Sequence, residues 1–477
     1  MTTSRSYKEW SWLLLTIPIY LFIFLKLDSF PVRLWDESYF AVHATEMMMH
    51  NSWLVPYFDG SPINLGTKPP LQSWIQILFL KTLGINELAL RLPSAIAAAL
   101  SVLMVFFFAK REFGTLAGWL GAGVLLTSGG FIHYHTGRGM EADALLAFTM
   151  LLQLLAFKRF LAKEDNASVV LLGSAIALSF LTKSVAGFLF VPGMAVYLML
   201  YKRESIPKLF TMKGFYVALG IGLGIPVLYI ALRESAHPGF LSFMFERHIG
   251  RYTEAMGYFK SNDHYIKTLT SARFVQWTSI ALVAIYVALK DRYKEGNVQK
   301  LIAVMAISFL LVLNLSSTRY EHYLNPVLPL FALMIAYLGA RVSNAMGDKQ
   351  TMIMVALLLV LPSIRMFGKS QANYMESGHA KDEMSARYLW QASKSDKDID
   401  GLKVMHKGFS GALIFYKHKL ESQGQSIQIT NWDIHPGDKV LASNSEMKAK
   451  IRTGYSVDTI DQLENAIVYY IKAKRNE

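Results

Sequence analysis

Apolar runs recur along the chain from Trp10 to Val360, at 10–28, 88–109, 114–132, 140–158, 167–183, 185–201, 214–233, 275–290, 299–316, 322–340 and 350–367. A bilayer core about 30 Å thick is crossed by roughly 20 helical residues, so this pattern predicts about eleven membrane-spanning helices. The weakest members are 167–183, which is short, and 275–290, which contains Gln276 and Thr278. No secretory cleavage site follows the first run, and Lys26 and Asp28 bound it, so it reads as a retained helix. Two further stretches have helical spacing without spanning length. Tyr39, Val42, His43 and Glu46–Met49 form one, and Leu71–Leu83, amphipathic and stopped by Gly84, forms the other. Both read as helices lying along the membrane surface. Beyond 367 the pattern changes to short periods rich in Lys, Asp, Glu and Ser. There it predicts a helix at Glu376–Ala392, strands at Leu402–His406, Leu413–Tyr416, Ser426–Thr430 and Lys439–Ala442, and a closing helix at Asp461–Ala473. The expected fold class is an all-α polytopic membrane protein over 1–367, with long outer loops at 29–87 and 234–274, followed by a small soluble α/β domain at 368–477.

Composition supports this. Of 477 residues 53% are hydrophobic and 17% charged, against about 25% charged in soluble domains. The net charge of +13 would point to nucleic acid in a soluble protein, but its distribution says otherwise. With the N-terminus inside, the inner loops contain Arg5 and Lys8; Lys110 and Arg111; Lys158, Arg159 and Lys163; Lys202, Arg203, Lys208 and Lys213; Lys290, Arg292, Lys294 and Lys300; Arg341 and Lys349. This is the positive-inside pattern, and it puts the tail on the outer face. Scattered over separate loops, these charges form no basic, aromatic-interleaved face, so nucleic acid is not an expected partner. The absence of cysteine removes disulfides, thiolate metal sites and cysteine nucleophiles.

The remaining ionisable residues fall on the outer side. Asp36 and Glu37 follow Trp35 where the chain leaves the first span. A partly desolvated carboxylate there suits a base or metal ligand, whereas the structural alternative makes Asp36 a helix N-cap. Lys68 precedes Pro69-Pro70 and a helix start, a place where a cation and a helix dipole together favour an anion; the alternative is a snorkelling surface lysine. His133, His135 and Arg138 fill a short outer loop ahead of Glu141 and Asp143. Glu141 is read as an ion-pair partner of Arg138, while Asp143, deeper in an apolar run, asks for a function or a partner. Lys183 stands on the outer face against the positive-inside bias. Arg247, His248, Arg251, Arg319, His322 and Tyr323 complete a set in which several cations and a few carboxylates gather at the outer surface. Such a set suits an amphipathic anion, a lipid with its phosphate at the interface.

In order, Trp35-Asp36-Glu37-Ser38-Tyr39, Asn51-Ser52-Trp53-Leu54-Val55-Pro56, Lys68-Pro69-Pro70-Leu71 and Arg91-Leu92-Pro93-Ser94 resemble the first-loop signature of the GT-C membrane glycosyltransferases. More narrowly, they resemble the branch of the protein O-mannosyltransferases and lipid A aminoarabinose transferases. Met140-Glu141-Ala142-Asp143, Leu181-Thr182-Lys183, His248-Ile249-Gly250-Arg251-Tyr252, and Ser317-Thr318-Arg319-Tyr320 through Tyr323-Leu324-Asn325-Pro326 continue the likeness, which covers about residues 10–340. The resemblance implies transfer of a sugar from a polyprenyl-phosphate donor on the outer face of the membrane. Asp36 would be the base and Asp143 the second acidic residue. Lys68 would bind the donor phosphate, helped by Lys183, Arg138, Arg251 and Arg319, while Glu37, Tyr39, Tyr323 and His248 would contact substrate. Direct displacement would invert the anomeric carbon. Thr67 stands where the aminoarabinose transferases have an acidic metal ligand, and Ser184 where glycine is usual. Neither a metal site nor lipid A specificity is carried over, and a divalent metal stays open. The expected acceptor is a lipid, glycan or protein, and the setting a bacterial inner membrane with membrane lipids as neighbours. A transporter or flippase of an anionic lipid-linked solute is the competing class, although no inverted repeat or pair of broken helices is apparent.

Overall fold

The computed structural model describes residues 11–64, 68–133, 135–253, 263–271, 275–291, 298–371, 384–395 and 397–475, without the side chains of 11, 248, 249, 251–253, 275 and 371. The helices that matter below are α1 (Asp36–Met49), α2 (Leu71–Leu83), α3 (Glu87–Phe113), α4 (Asp143–Lys163), α5 (Asn166–Lys183), α6 (Leu328–Met346), α7 (Asp348–Gln371) and α8 (Gly411–Glu421). Chain contacts divide the molecule into two compact units, Met1–Lys26, Asn64–Gln72 and Pro93–Gln371 in the first, and Leu27–Ile63, Ser73–Leu92 and Ala372–Glu477 in the second.

The first unit is helical. Among the described residues of the chain, six helices are long and apolar enough to cross a membrane: Glu87–Phe113, Asp143–Lys163, Asn166–Phe188, Lys213–Ala236, Glu321–Met346 and Asp348–Ser370. Five expected spans coincide instead with shorter apolar helices, Trp12–Phe24, Thr115–Leu126, Val191–Tyr201, Gln276–Lys290 and Val298–Asn314. The run at 114–132 is shortened because its helix stops at Leu126 and a separate turn, Gly129–Ile132, follows. Burial orders the helices. The window in Glu321–Met346 is 83% buried and that in Asp348–Ser370 only 17%, so α6 is a core helix and α7 turns Leu357, Leu361 and Ile364 outward. Leucine rows facing out are costly in water, and lipid is the solvent that suits them; the chain is an integral membrane protein. Helix ends follow local chemistry. Glu164 closes α4 in a left-handed conformation, and Asp165 caps α5 through its carboxylate, which accepts the Ser168 N–H at 2.7 Å. A Cβ at Gly173 of α5 would lie 2.5 Å from the Ala218 carbonyl, so the close approach of α5 to Lys213–Ala236 requires glycine.

The second unit joins Leu27–Ile63 and Ser73–Leu92 to the tail. α1 covers the helical spacing read from Tyr39 to Met49 and starts three residues earlier, at Asp36, and α2 stops at Gly84, whose φ of +81° is easy only for glycine. The buried side of α2 is mixed rather than purely apolar: Gln72, Ser73 and Gln76 are buried together with Ile77 and Leu80, while Leu78 is exposed. Gln76 donates to the Leu90 carbonyl at 3.0 Å. A small hairpin pairs β1 (Tyr57–Phe58) with β2 (Ser61–Pro62). The tail forms a five-stranded mixed sheet in the order β4-β3-β5-β7-β6, with β3 Leu402–Met405, β4 Ile427–Thr430, β5 Lys439–Ala442, β6 Tyr455–Leu463 and β7 Ala466–Lys474.

Two tail expectations are corrected. The expected strand at Leu413–Tyr416 lies inside α8, because β3 and β4 pair in parallel and need a crossover between them. Gly411–Tyr416 is buried without interruption, which hides the helical period. The expected closing helix at Asp461–Ala473 is a hairpin, with Leu463 opposite Ala466. Ile467-Val468-Tyr469-Tyr470-Ile471 is β-branched and aromatic, and β7 lies between β5 and β6, where a strand reads as a continuous apolar run. Of the expected helix at Glu376–Ala392, Met384–Ala392 is present and 376–383 lies outside the described residues.

Candidate active site

In the second unit the site is built on the start of α1. Trp35 precedes the helix with φ +68° and ψ −124°, a region that costs a residue with a side chain about 1–3 kcal/mol. Its carbonyl accepts the Tyr39 N–H at 3.0 Å and the Ser38 hydroxyl at 2.9 Å. The N-cap is Trp35, not Asp36. Asp36 is the first helical residue, half-buried at the positive end of the helix dipole. Its neighbour Glu37 points inward. Arg91 donates Nε to Glu37 Oε1 at 3.0 Å and Nη2 to Oε2 at 3.3 Å, while the Arg33 backbone N–H reaches Oε2 at 2.8 Å. The rest of the Arg91 fork donates to the carbonyls of Leu27, Phe30 and Pro31, and its plane lies 3.7 Å over the Phe30 ring. Burial acts to raise the Glu37 pKa, and the charges of Arg91 and Arg33 with their hydrogen bonds overcome it, so the carboxyl is held below its usual value. Glu37 thus anchors α1 rather than presenting a free carboxylate.

Tyr39, Phe58 and Phe409 stack beside Trp35. The Trp35 and Phe409 rings are parallel within 4° at 5.2 Å, and Tyr39 and Phe58 lie 4.8 and 5.7 Å from Phe409. Phe409, from the loop between β3 and α8, was not singled out by the sequence. Nor were His418 and Lys419 of α8, which reach Glu46 at 2.8 Å and Glu87 at 2.8 Å.

In the first unit, Asp143 opens α4 and Lys183 closes α5, with Lys183 Nζ 2.7 Å from Asp143 Oδ1. Each charge sits at the helix end that favours it. Lys183 also lies 5.5 Å from the centre of the Tyr323 ring. Tyr323 belongs to a short 3-10 helix, Glu321–Val327, where His322 stacks on His135 at 4.6 Å and on Tyr320 at 5.6 Å. His135 Nδ1 is 3.4 Å from Glu141 Oε1. Gln72 holds this acidic segment by donating to the Met140 carbonyl at 3.2 Å and to Ser94 Oγ at 3.0 Å, and Ser94 in turn donates to the Glu141 carbonyl at 2.8 Å. Lys68 is half-buried ahead of the buried Pro69 and Pro70. Arg319 is buried, one of its Nη groups donating to the Asn314 carbonyl at 3.0 Å.

Arg138 has a different occupation from the phosphate contact expected of it. Its guanidinium donates to the carbonyls of Ile23, Leu25 and Lys26 at 2.9, 3.0 and 3.2 Å, satisfying acceptors that a helix end leaves open. It therefore ties down the first helix. Ser184, at the usual glycine position, has φ +53°, so the backbone there keeps the shape glycine would take freely. The side chains of His248 and Arg251, and all of Thr67, lie outside the described residues. Among the described residues no group of three or more His, Asp or Glu side chains is gathered as a metal-binding cluster.

The family model for dolichyl-phosphate-mannose-protein mannosyltransferases matches residues 67–230. An undecaprenyl phosphate-alpha-4-amino-4-deoxy-L-arabinose arabinosyl transferase of Edwardsiella ictaluri is 26% identical over 337 residues, 69% of this chain and 59% of that protein. A second transferase of that name, from Pseudomonas fluorescens, is 26% identical over 356 residues, 72% of this chain and 59% of that protein. An uncharacterized protein of Aquifex aeolicus is 25% identical over 328 residues, 68% of this chain and 63% of its own length. The chain thus spans between 59% and 63% of these three relatives. In fold, it is similar to ArnT from Cupriavidus metallidurans crystallised with undecaprenyl phosphate, with a TM-score of 0.72 at 16% identity over 97% of this chain and 98% of that one. The arabinosyltransferase EmbB of Mycobacterium smegmatis is a more distant likeness, with a TM-score of 0.51 at 12% identity over 94% of this chain and 45% of that one. In sequence and in fold the chain resembles GT-C membrane glycosyltransferases of the mannosyltransferase and aminoarabinose transferase branch.

Proposed function

We propose that this chain is a membrane glycosyltransferase that takes a sugar from a polyprenyl-phosphate donor and passes it to a lipid, glycan or protein acceptor on the outer face of the membrane. The observation that carries the reading is that residues 67–230, matched by the mannosyltransferase model, contain Lys68, Asp143 and Lys183, while relatives named for an undecaprenyl-phosphate donor match 69% and 72% of the chain. In this reading residues 1–367 are the membrane-embedded catalytic part, with the N-terminus cytoplasmic, and 368–477 the soluble outer domain.

Asp36 takes the proton of the acceptor hydroxyl as its oxygen attacks the anomeric carbon. The bond from that carbon to the donor phosphate breaks on the opposite side, and the product is inverted. Negative charge grows on the departing phosphate as the bond breaks. Lys68, with Arg251 and Arg319, favours that state over the bound donor, which accelerates the step rather than merely tightening binding. Asp143 holds Lys183, and Tyr39 and Tyr323 contact the sugar. The test is turnover of a radiolabelled undecaprenyl-phosphate sugar by purified protein with envelope lipids and glycans as acceptors. Asp36→Asn should lower kcat by about 10²–10⁴-fold, and Lys68→Ala should weaken donor binding as well as turnover. Unchanged turnover in Asp36→Asn would remove it as the base, and movement of the lipid-linked sugar across liposomes without a new glycosidic bond would replace the transferase by a transporter.

A further inference from the structure

We propose that Phe409, carried by the tail, is a positioning residue for Asp36 and acts on it through Trp35. The claim about turnover rests on the reading of Asp36 as the base; the claim about order at the start of α1 does not.

Trp35 is the residue whose backbone sets the direction in which α1 begins, and it does so with φ +68°, a conformation that persists only where the surroundings impose it. Its indole is 57% exposed, so burial in a core cannot be what imposes it. One face of that indole is covered by the Phe409 ring, parallel within 4° at 5.2 Å. Phe409 is itself fixed. The loop that holds it turns at Gly408, with φ +104°, and the Phe409 carbonyl lies 2.8 Å from His406 Nε2. Tyr39 and Phe58 pack against the same ring at 4.8 and 5.7 Å. One residue past the loop, α8 touches α1 directly, since a Cβ at Gly411 would stand 2.6 Å from Ser38 Oγ. Lower down, the Tyr416 hydroxyl accepts the Val32 N–H at 2.8 Å. The segment 406–416 therefore lies along the chain from Val32 to Tyr39, and Phe409 is its contact with the strained residue next to Asp36. Without that ring the Trp35 conformation rests on its carbonyl, which accepts from Ser38 and Tyr39; it becomes easier to leave, and the first turn of α1 changes direction with it.

Hydrogen exchange on the purified full-length protein tests the placement without reference to activity. Phe409→Ala should speed exchange of the Tyr39 amide, which donates to the Trp35 carbonyl, about tenfold or more, since local opening there becomes easier. Phe409→Leu, which keeps apolar volume and loses the flat ring, should exchange at an intermediate rate, and Phe409→Tyr should match the wild type. Transfer of the radiolabelled sugar should fall about 10- to 100-fold in kcat for Phe409→Ala, with the donor KM nearly unchanged, as misplacement of a reacting group predicts; Phe409→Tyr should restore it. Unchanged exchange of the Tyr39 amide in a folded Phe409→Ala or Phe409→Leu protein would overturn the proposal. Should Asp36→Asn prove fully active, the base assignment fails, and the exchange data alone decide the role of Phe409.

Discussion

At the scale of single residues, charge has been used to build the site as well as to run it. Glu37 and Arg91 are buried together, and removing one partner leaves the other unpaired. Glu37→Gln is expected to cost about 3–5 kcal/mol, measured as a lower Tm in detergent. The pH dependence has a definite sign. Because the folded Glu37 carboxyl is held below its usual value, its contribution is complete above the ordinary carboxylate pKa near 4.5 and is lost as pH falls through the folded value. Acid unfolding of the wild type should therefore be steeper than that of Glu37→Gln in this range. Ser184 gives a prediction of the opposite sense. Its φ of +53° suits glycine, so Ser184→Gly should stabilise by about 1 kcal/mol through relief of strain, seen as a raised Tm. The sequence showed Asp36, Lys183 and Asp143 as exceptions to the charge pattern, and the structure pairs the last two. Arg138 donates to the carbonyls of Ile23, Leu25 and Lys26, partners that its place in the sequence does not indicate.

At the scale of elements, α8 is joined to α1 and α3 by a hydrogen bond between His418 and Glu46 and an ion pair between Lys419 and Glu87. Lys419 and Glu87 are both buried; burial presses the Lys419 pKa down, and Glu87 only partly offsets it. Such a pair is strongly missed when halved and weakly missed when removed whole. Lys419→Met should destabilise by about 3–5 kcal/mol, and Lys419→Met with Glu87→Leu should regain most of that loss. A double-mutant cycle on Tm or denaturant midpoint measures the coupling. Elements were legible where one face was buried and the period therefore showed, as in Met384–Ala392, which buries Tyr388, Leu389 and Ala392. They were misread where a stretch is buried without interruption, as in Gly411–Tyr416 of α8 and Ala466–Tyr469 of β7, because such an apolar run carries no period. α2 was found with correct ends, but its buried side also takes in Gln72 and Gln76, which donate to carbonyls that no sequence pattern displays.

At the scale of the whole molecule, the absence of cysteine makes orientation directly measurable. Glu204→Cys, in a loop expected inside, should resist a membrane-impermeant maleimide added to spheroplasts and react after permeabilisation. Asp433→Cys, exposed in the tail, should react at once. The reverse pattern would invert the topology and with it the outer-face chemistry. The division into two units also joins segments far apart in the chain, Leu27–Ile63 and Ser73–Leu92 with the tail. Composition marks the tail as a separate region from residue 368 onward, and it does not announce which loop completes its core.

The solvent of this protein, most of its helices, and the ordered set of polar residues that points to lipid-phosphate sugar transfer are legible in the order of the residues. Hydropathy and charge placement are local properties, and a membrane reads them locally. Tertiary structure alone decided which of those charges are spent on folding. Arg91 and Arg138 are consumed by carbonyls, Glu37 by Arg91, and Trp35 is covered by a ring 374 positions further along the chain, from Trp35 to Phe409. Partnership depends on distance in space, and the chain order records only distance along the backbone.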